Sequence, residues 1–389
     1  MGVDSVQLKW VSWRRAVVVL LVVGVVAVAV TSSALWVGQS GAMHEVPLDG
    51  ALRDVPRCLV GRNHAGGDAS VSVGERFRKS VGRLLGDCGR YKSPATQVHL
   101  LMLSQLVGGS SGFRVPVPSV VLEPLLNEEA AIEFFGESVV SQHIGGWAFH
   151  SGSRAIVGES HSYQVVAALS DWAKGRATSV FVGGRAVPLS GFARHALNSA
   201  GALDSDLEWQ MLVVMRWAKR GVAWRNKFNE LVSLDSCMTK LLDRADEAES
   251  SPSMVRVSCA GTHILQALVS LSLMDEESPF LGGVIRERLA ATLERWLSKV
   301  IQGQEEDGRW SVGWLVDREA PGGVEARLVA DVLVTGHLLE AVLLLGEVGL
   351  DACVSKGVVW LGDVMAADSV RSLGSICPRT HALRVVLTR

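Results

Sequence analysis

Apolar positions recur with helical spacing through most of the chain, and they mark two kinds of helix. Residues 284–301 carry apolar side chains on one face and charged side chains on the other, a pattern typical of a half-exposed helix. Residues 263–273 and 337–345 are apolar around most of their circumference, so neighbouring helices have to cover them. An alternation of apolar and amphipathic helices is what two concentric helical layers require, because the outer layer covers the inner one. The pattern therefore predicts helical hairpins that close into an α/α toroid.

Other segments complete this all-α prediction and add one β element. Helices are predicted at 78–85, 96–106, 127–143 and 206–245, with an interruption at Gly221 in the last of these. Two short β-branched segments, 179–182 and 185–189, flank Gly183-Gly184. A Gly-Gly pair between such segments predicts a β-hairpin. We interpret it as a small insertion in the helical fold.

The N-terminal segment 16–38 predicts a transmembrane helix. Its 23 residues span about 35 Å as a helix, enough for a hydrocarbon layer of about 30 Å. Lys9, Arg14 and Arg15 precede it, so the positive-inside rule places residues 1–15 in the cytoplasm and the body outside. The alternative is a cleaved signal peptide, with Ser32-Ser33-Ala34 as the cleavage site. Both interpretations export the body of the protein.

The predicted organisation is a cytoplasmic segment 1–15, the membrane helix 16–38, a linker 39–74 and an exported toroid domain 75–389. Of the 389 residues 48% are hydrophobic and 20% charged, which excludes a disordered chain. A net charge of −2 provides no basic field for nucleic acid, so no nucleic-acid partner is expected. The six cysteines are compatible with disulfides in an exported protein, and Cys58–Cys88 is the preferred pair.

Six segments begin with a histidine that is followed by an apolar stretch. They start at His99, His161, His195, His263, His337 and His381. Helix starts in a toroid lie at one end of the inner cavity, where imidazoles can bind an anion or act as acid or base. His263, His337 and His381 are the candidate catalytic residues, and Glu159 and Glu340 are candidate carboxylate partners. The alternative for each histidine is a structural hydrogen bond to a loop carbonyl.

Two of these segments also contain a C-x-x-x-H string, Cys259–His263 and Cys377–His381. On a helix, this spacing places a thiol and an imidazole on one face. Together with His337 they form a candidate zinc site. The alternative is that each cysteine is a small apolar core residue or a disulfide partner.

The loop after the amphipathic helix carries a family resemblance. The string Gln304-Glu-Glu-Asp307-Gly308-Arg-Trp310 resembles the QW repeat of terpene cyclases and the related loops of protein prenyltransferase β-subunits, which are α/α toroids. Gln304 can cap helix ends, Gly308 permits a tight turn, and Trp310 can pack over the helix junction. The resemblance covers residues 259–314 and implies the toroid fold with a central cavity.

The acidic motifs of those enzymes are missing from this chain. The nearest string to Asp-x-Asp-Asp is Asp204-Ser-Asp206, which is followed by Leu207, and no Asp-Asp-x-x-Asp motif occurs. We therefore expect a membrane-anchored binding or scaffold module with a concave or central site for a glycan, lipid or protein ligand. The alternative is an enzyme of the same superfamily, with or without a metal, that uses the central cavity.

Overall fold

The computed structural model describes residues 48, 94–107, 119–150, 161–173, 178–201, 206–251, 259–316, 323–345, 350–366, 382 and 385. Helices make up 67% of these residues, and the strands form small antiparallel hairpins. The predicted all-α class is therefore confirmed. The predicted transmembrane helix 16–38, the linker 39–74 apart from Leu48, the helix 78–85 and the Cys58–Cys88 pair lie outside the described residues.

The described elements follow one another as helices with three interspersed hairpins. In chain order they are α1 (Pro94–Val107), α2 (Ser119–Leu126), α3 (Glu128–Phe135), β1 (Val140–His143), β2 (Gly146–Phe149), α4 (Ser162–Ala173), β3 (Ser179–Val182), β4 (Arg185–Pro188), α5 (Leu189–Ser199), α6 (Leu207–Trp217), β5 (Trp224–Arg225), β6 (Leu231–Val232), α7 (Leu234–Ser250), α8 (Thr262–Glu277), α9 (Gly283–Gln302), α10 (Val324–Leu345) and α11 (Asp351–Ala366).

The predicted hairpin is present as β3 and β4, in which Ser179 pairs with Pro188. Gly183 and Gly184 form its turn with φ values of 54° and 72°, a left-handed conformation that glycine adopts without steric cost. The second strand is one residue shorter than predicted, because Leu189 already begins α5.

Two predicted helices are shorter than expected, because each is interrupted by a hairpin. The predicted helix 127–143 ends at Phe135, where Gly136 adopts a left-handed conformation (φ 86°) and terminates α3. Strands β1 and β2 follow, joined through Gly145 and Gly146, and both of these glycines have positive φ. The predicted helix 206–245 is likewise split into α6 and α7 by the short β5–β6 hairpin.

The helices form two layers that differ in burial. Helices α1, α4, α6, α8 and α10 pack against one another in that order, while α5, α7, α9 and α11 each pack against members of this series. All eleven residues of α6 are buried, as are residues 262–271 of α8. In α9 only a stripe is buried, formed by Leu289, Thr292, Leu293, Trp296 and Val300. The predicted contrast between covered and half-exposed helices is therefore confirmed.

Helix α10 is the one described helix that is long and apolar enough to cross a membrane. In its most hydrophobic window, however, 61% of the residues are buried inside the protein. Contacts with α8 and α11 provide this burial. In the described part of the chain this helix therefore has the surroundings of a core helix.

The QW-like loop joins the end of α9 to α11. The side-chain amide of Gln304 donates hydrogen bonds to the carbonyls of Gly308 and Cys353, both at 2.8 Å. Asp307 accepts a hydrogen bond from the main-chain N–H of Arg309 at 3.2 Å. Gly308 has φ 97°, and a Cβ atom there would lie 2.5 Å from the carbonyl oxygen of Lys356. The turn can therefore approach α11 this closely only with glycine at position 308.

Trp310 connects the same loop to α9 and α10. Its ring is fully buried, and its indole N–H donates a hydrogen bond to the carbonyl of Val300 at 2.7 Å. Its main-chain N–H donates to the hydroxyl of Thr335 in α10 at 2.9 Å. The loop therefore fixes the positions of three helices relative to one another.

We expect Gly308→Ala to lower the free energy of unfolding by about 2–3 kcal/mol, because it combines a left-handed backbone with a clash against main-chain atoms. Chemical denaturation of the full-length protein in detergent would measure the change. Gly283→Ala is the matched control, since a Cβ atom there meets nothing within 4 Å. Equal stability of the two variants would contradict this account of the turn.

Candidate functional site

The histidines that were expected to begin helices occupy two kinds of position. His161 immediately precedes α4, and His263 is the second residue of α8, as predicted. His99, His195 and His337 lie inside α1, α5 and α10, so the prediction that they start helices is wrong. In each of these three helices the residues before the histidine are already helical, and α10 begins 13 residues before His337.

Three histidines from separate helices nevertheless meet at one place, and we call His161, His263 and His337 the histidine cluster. The ring centroids of His161 and His263 lie 4.8 Å apart, and those of His263 and His337 lie 4.7 Å apart, both edge to face. Trp209 of α6 packs at 5.3 Å from the ring of His263. The consecutive packing of α4, α6, α8 and α10 creates this cluster.

His161 is held by Asp206, the residue that precedes α6. The carboxylate oxygen Oδ1 lies 2.7 Å from Nδ1 of the imidazole, and Oδ2 accepts a hydrogen bond from the main-chain N–H of Tyr163. Burial lowers the pKa of His161, but hydrogen bonds with Asp206 and the thiol of Cys259 outweigh burial and raise that pKa from 6.5 to about 10. Because Asp206 occupies Nδ1, the ring has Nε2 left for a further partner.

Cys259 lies in a left-handed turn that leads into α8. Cys259, Ala260 and Gly261 have φ values of 47°, 60° and 83°. The hydroxyl of Thr262 donates a hydrogen bond to the carbonyl of Cys259, and the indole N–H of Trp314 donates to the carbonyl of Ala260, both at 2.7 Å. The expectation that this cysteine shares a helix face with the histidine four residues later is therefore wrong, because the helix begins after the cysteine.

The turn still brings the thiol to the histidine cluster. One donor atom each from His161, Cys259 and His263 lie within 4.8 Å of one another. Such a trio could hold a metal ion, and among the described residues it differs from the predicted zinc set by including His161. His337 contacts His263 but does not belong to this trio. Three predicted site residues lie outside the described residues: Glu159, Cys377 and His381.

The third histidine of the cluster has a carboxylate nearby, as expected from the sequence. Nδ1 of His337 lies 3.8 Å from Oε2 of Glu340, and both residues are buried. The same three-residue offset recurs as His161–Gln164 and His263–Gln266. In the sequence this H-x-x-Q/E spacing distinguishes the three histidines of the cluster from the other histidines of the chain.

A buried ion pair lies next to the cluster. Glu208 follows Asp206 by two residues, and its carboxylate lies 3.8 Å from the guanidinium of Arg244 on α7. Burial raises the pKa of Glu208 from 4.5 to about 7, because the attraction of Arg244 only partly offsets the loss of hydration.

Comparisons with family models, curated proteins and solved structures gave no match to this chain. The chemistry of the site therefore has to be argued from its own groups. These are an imidazole oriented by a carboxylate, a neighbouring thiol and two further buried imidazoles, which together suit ligand binding and proton transfer.

The raised pKa of Glu208 predicts a pH dependence of stability. The folded protein holds the Glu208 proton more tightly than the unfolded chain, so this group stabilises the fold fully below pH 4.5. That contribution is lost as the pH rises through about 7. We expect Glu208→Gln to reduce the fall in melting temperature between about pH 5 and pH 8. Glu294→Gln, at an exposed position of α9, should not alter that fall, and equal pH profiles for both variants would contradict the assignment.

Proposed function

We propose that this chain is an exported, membrane-anchored helical protein of the α/α-toroid type that binds its ligand at the histidine cluster. The observation that carries the proposal is the meeting of His161, His263 and His337, which are distant in sequence, among buried helices whose side chains are mostly apolar. Segment 16–38 would be the membrane anchor, and residues 1–15 would lie on the cytoplasmic side.

The cost of burying polar groups supports a binding role. His263, His337 and Glu340 are each no more than 3% exposed. Burial of imidazoles and a carboxylate reduces stability compared with apolar side chains of similar size. Polar groups that break the apolar pattern of a core are most often found where a protein acts on something else. The cluster is therefore the best-supported ligand site in the described part of the chain.

Two observations support the toroid architecture. The inner helices pack in succession with outer helices against them, and the loop of Gln304 and Trp310 makes the inter-helix contacts expected of a QW-like repeat. In a closed ring the starts of the inner helices would surround one end of a central cavity. Because the histidine cluster lies among the inner helices, we favour a glycan unit or lipid headgroup over a protein as the ligand.

An enzyme that uses the same cluster is the second candidate. The observation in its favour is the 2.7 Å contact between Asp206 and His161, because a carboxylate that orients an imidazole is a recurrent arrangement in acid–base catalysis.

We expect a small molecule to remain bound to the full-length protein purified in detergent. Organic extraction and mass spectrometry should find it in the wild type and at least about tenfold less of it in His337→Gln, since losing one hydrogen bond to a charged group costs about 1.5 kcal/mol or more. His143→Ala is the control, because this exposed residue of β1 lies outside the cluster. A wild type without a bound compound, or equal amounts in His337→Gln, would contradict the binding proposal.

We expect the intact protein to stay in the membrane pellet after alkaline carbonate extraction, because segment 16–38 is long enough to span the bilayer. Protease added outside the cell should digest the body. Deletion of residues 16–38 should release the protein from the membrane fraction. An N-terminus that begins after Ala34, with a soluble body, would instead establish a cleaved signal peptide.

A further inference from the structure

We propose that Cys259, His161 and Asp206 form a nucleophile triad that removes the acyl group from an ester or thioester ligand bound at the histidine cluster. This inference rests on the proposed function, since it assigns a substrate class and a reaction to the same site. Cys259 would be the nucleophile, His161 the proton carrier and Asp206 the positioning residue.

The order of contacts matches these three roles. Asp206 lies against Nδ1 of His161 at 2.7 Å, and its other oxygen is fixed by the main-chain N–H of Tyr163. The thiol of Cys259 is a second hydrogen-bond partner of the His161 side chain, and the donor atoms of the two residues lie within 4.8 Å. A nucleophile next to a base that a third group orients is the general pattern of activated thiols and hydroxyls.

The backbone around Cys259 places the thiol at a helix start. Left-handed conformations are unfavourable at non-glycine residues, and here Cys259 and Ala260 both adopt one. Hydrogen bonds from Thr262 and Trp314 hold this turn. First-turn N–H groups of a helix point out of its N-terminus and stabilise negative charge there. The turn therefore places Cys259 three residues before the first residue of α8, near the end of the helix whose N–H groups suit a developing oxyanion.

Trp209 provides a further donor at the cluster. Among the described residues its indole N–H is buried and makes no hydrogen bond. Its ring lies 5.3 Å from that of His263 and 6.2 Å from that of His161. A buried N–H group gains from donating a hydrogen bond to a carbonyl oxygen, and an acyl ligand brings such an oxygen.

The proposed reaction proceeds in two balanced steps. The thiol proton of Cys259 is held on Nε2 of His161, and the resulting thiolate sulfur attacks the carbonyl carbon of the acyl compound. A C–S bond forms, the C–O or C–S bond to the leaving group breaks, and His161 returns its proton to the leaving group. Water then attacks the thioester on Cys259, releasing the carboxylic acid and restoring the thiol, with His161 again carrying the proton.

The spacing of the donor atoms favours this chemistry over metal binding. The edges of a tetrahedral zinc site between nitrogen and sulfur ligands measure about 3.3–3.6 Å, from bonds of about 2.0–2.3 Å. The donor atoms of the trio lie within 4.8 Å of one another rather than at these edge lengths, so at least one side chain would have to move to hold zinc. A thiol–imidazole pair requires only that Cys259 and His161 approach each other.

The first experiment measures the alkylation rate of each cysteine by iodoacetamide in the full-length protein, with mass spectrometry to resolve the sites. Cys353 is the matched internal control, because its side chain is partly exposed like that of Cys259. Cys237 is buried, and burial raises the pKa of its thiol to about 12, so it should not react. We expect Cys259 to react at least about tenfold faster than Cys353. Asp206→Asn should slow the alkylation of Cys259 and leave that of Cys353 unchanged. If Asp206 has only a structural role, neither alkylation rate should change in the folded variant.

The second experiment uses p-nitrophenyl acetate as the acyl probe. We expect a burst of one p-nitrophenol per protein and an acetyl group on Cys259 by mass spectrometry. Cys259→Ser and His161→Gln should abolish the burst, and Cys353→Ser should keep it.

The proposal is overturned if Cys259 reacts no faster than Cys353, if no burst occurs, or if zinc co-purifies and a chelator is needed to expose Cys259. If ligand retention depends on His337 but no burst occurs, the binding proposal holds and the triad is wrong. If a burst occurs but no ligand is retained, the triad holds and the binding proposal is wrong.

Discussion

The fold depends on covering helices that have no polar face. Helix α6 is buried along its whole length, and α8 is buried through its first ten residues. Helices of this kind are stable only when neighbours enclose them, since each exposed apolar side chain forfeits about 1.5–3 kcal/mol of burial. The amphipathic α9 and the other outer helices provide part of this cover. That constraint explains why inner helices pack against inner helices in succession.

The loop that resembles a QW repeat is part of the same arrangement. Trp310 ties the end of α9 to α10, while Trp314, a few residues later, donates a hydrogen bond to the turn that carries Cys259. Trp314 also packs edge to face against Trp296 of α9, with centroids 5.8 Å apart. The tryptophans that stabilise the helix junction therefore also hold the thiol in place. Structural and candidate functional residues share one set of contacts.

The polar groups within this core are arranged as pairs. His161 has Asp206 as its partner and His337 has Glu340 nearby, whereas Trp209 and His263 lie between the two pairs. In surroundings of low polarity, hydrogen bonds and charges interact strongly, so such a network is costly unless its members are well placed. A ligand or substrate that uses these groups would give a reason for keeping them in a mostly apolar interior.

The sequence by itself determined the local elements of this protein, and only the tertiary structure decided the site. Apolar periodicity located α8, α9 and the inner part of α10, and the Gly183-Gly184 pair located one hairpin, because these signals lie within a few neighbouring residues. The sequence pattern did not predict the hairpins β1–β2 and β5–β6, where glycines and short strands interrupt helical patterns. The partner of His161 is Asp206, 45 residues away, and the thiol of Cys259 reaches the cluster through a left-handed turn. Contacts of this kind follow from how the helices pack, and no local spacing encodes them.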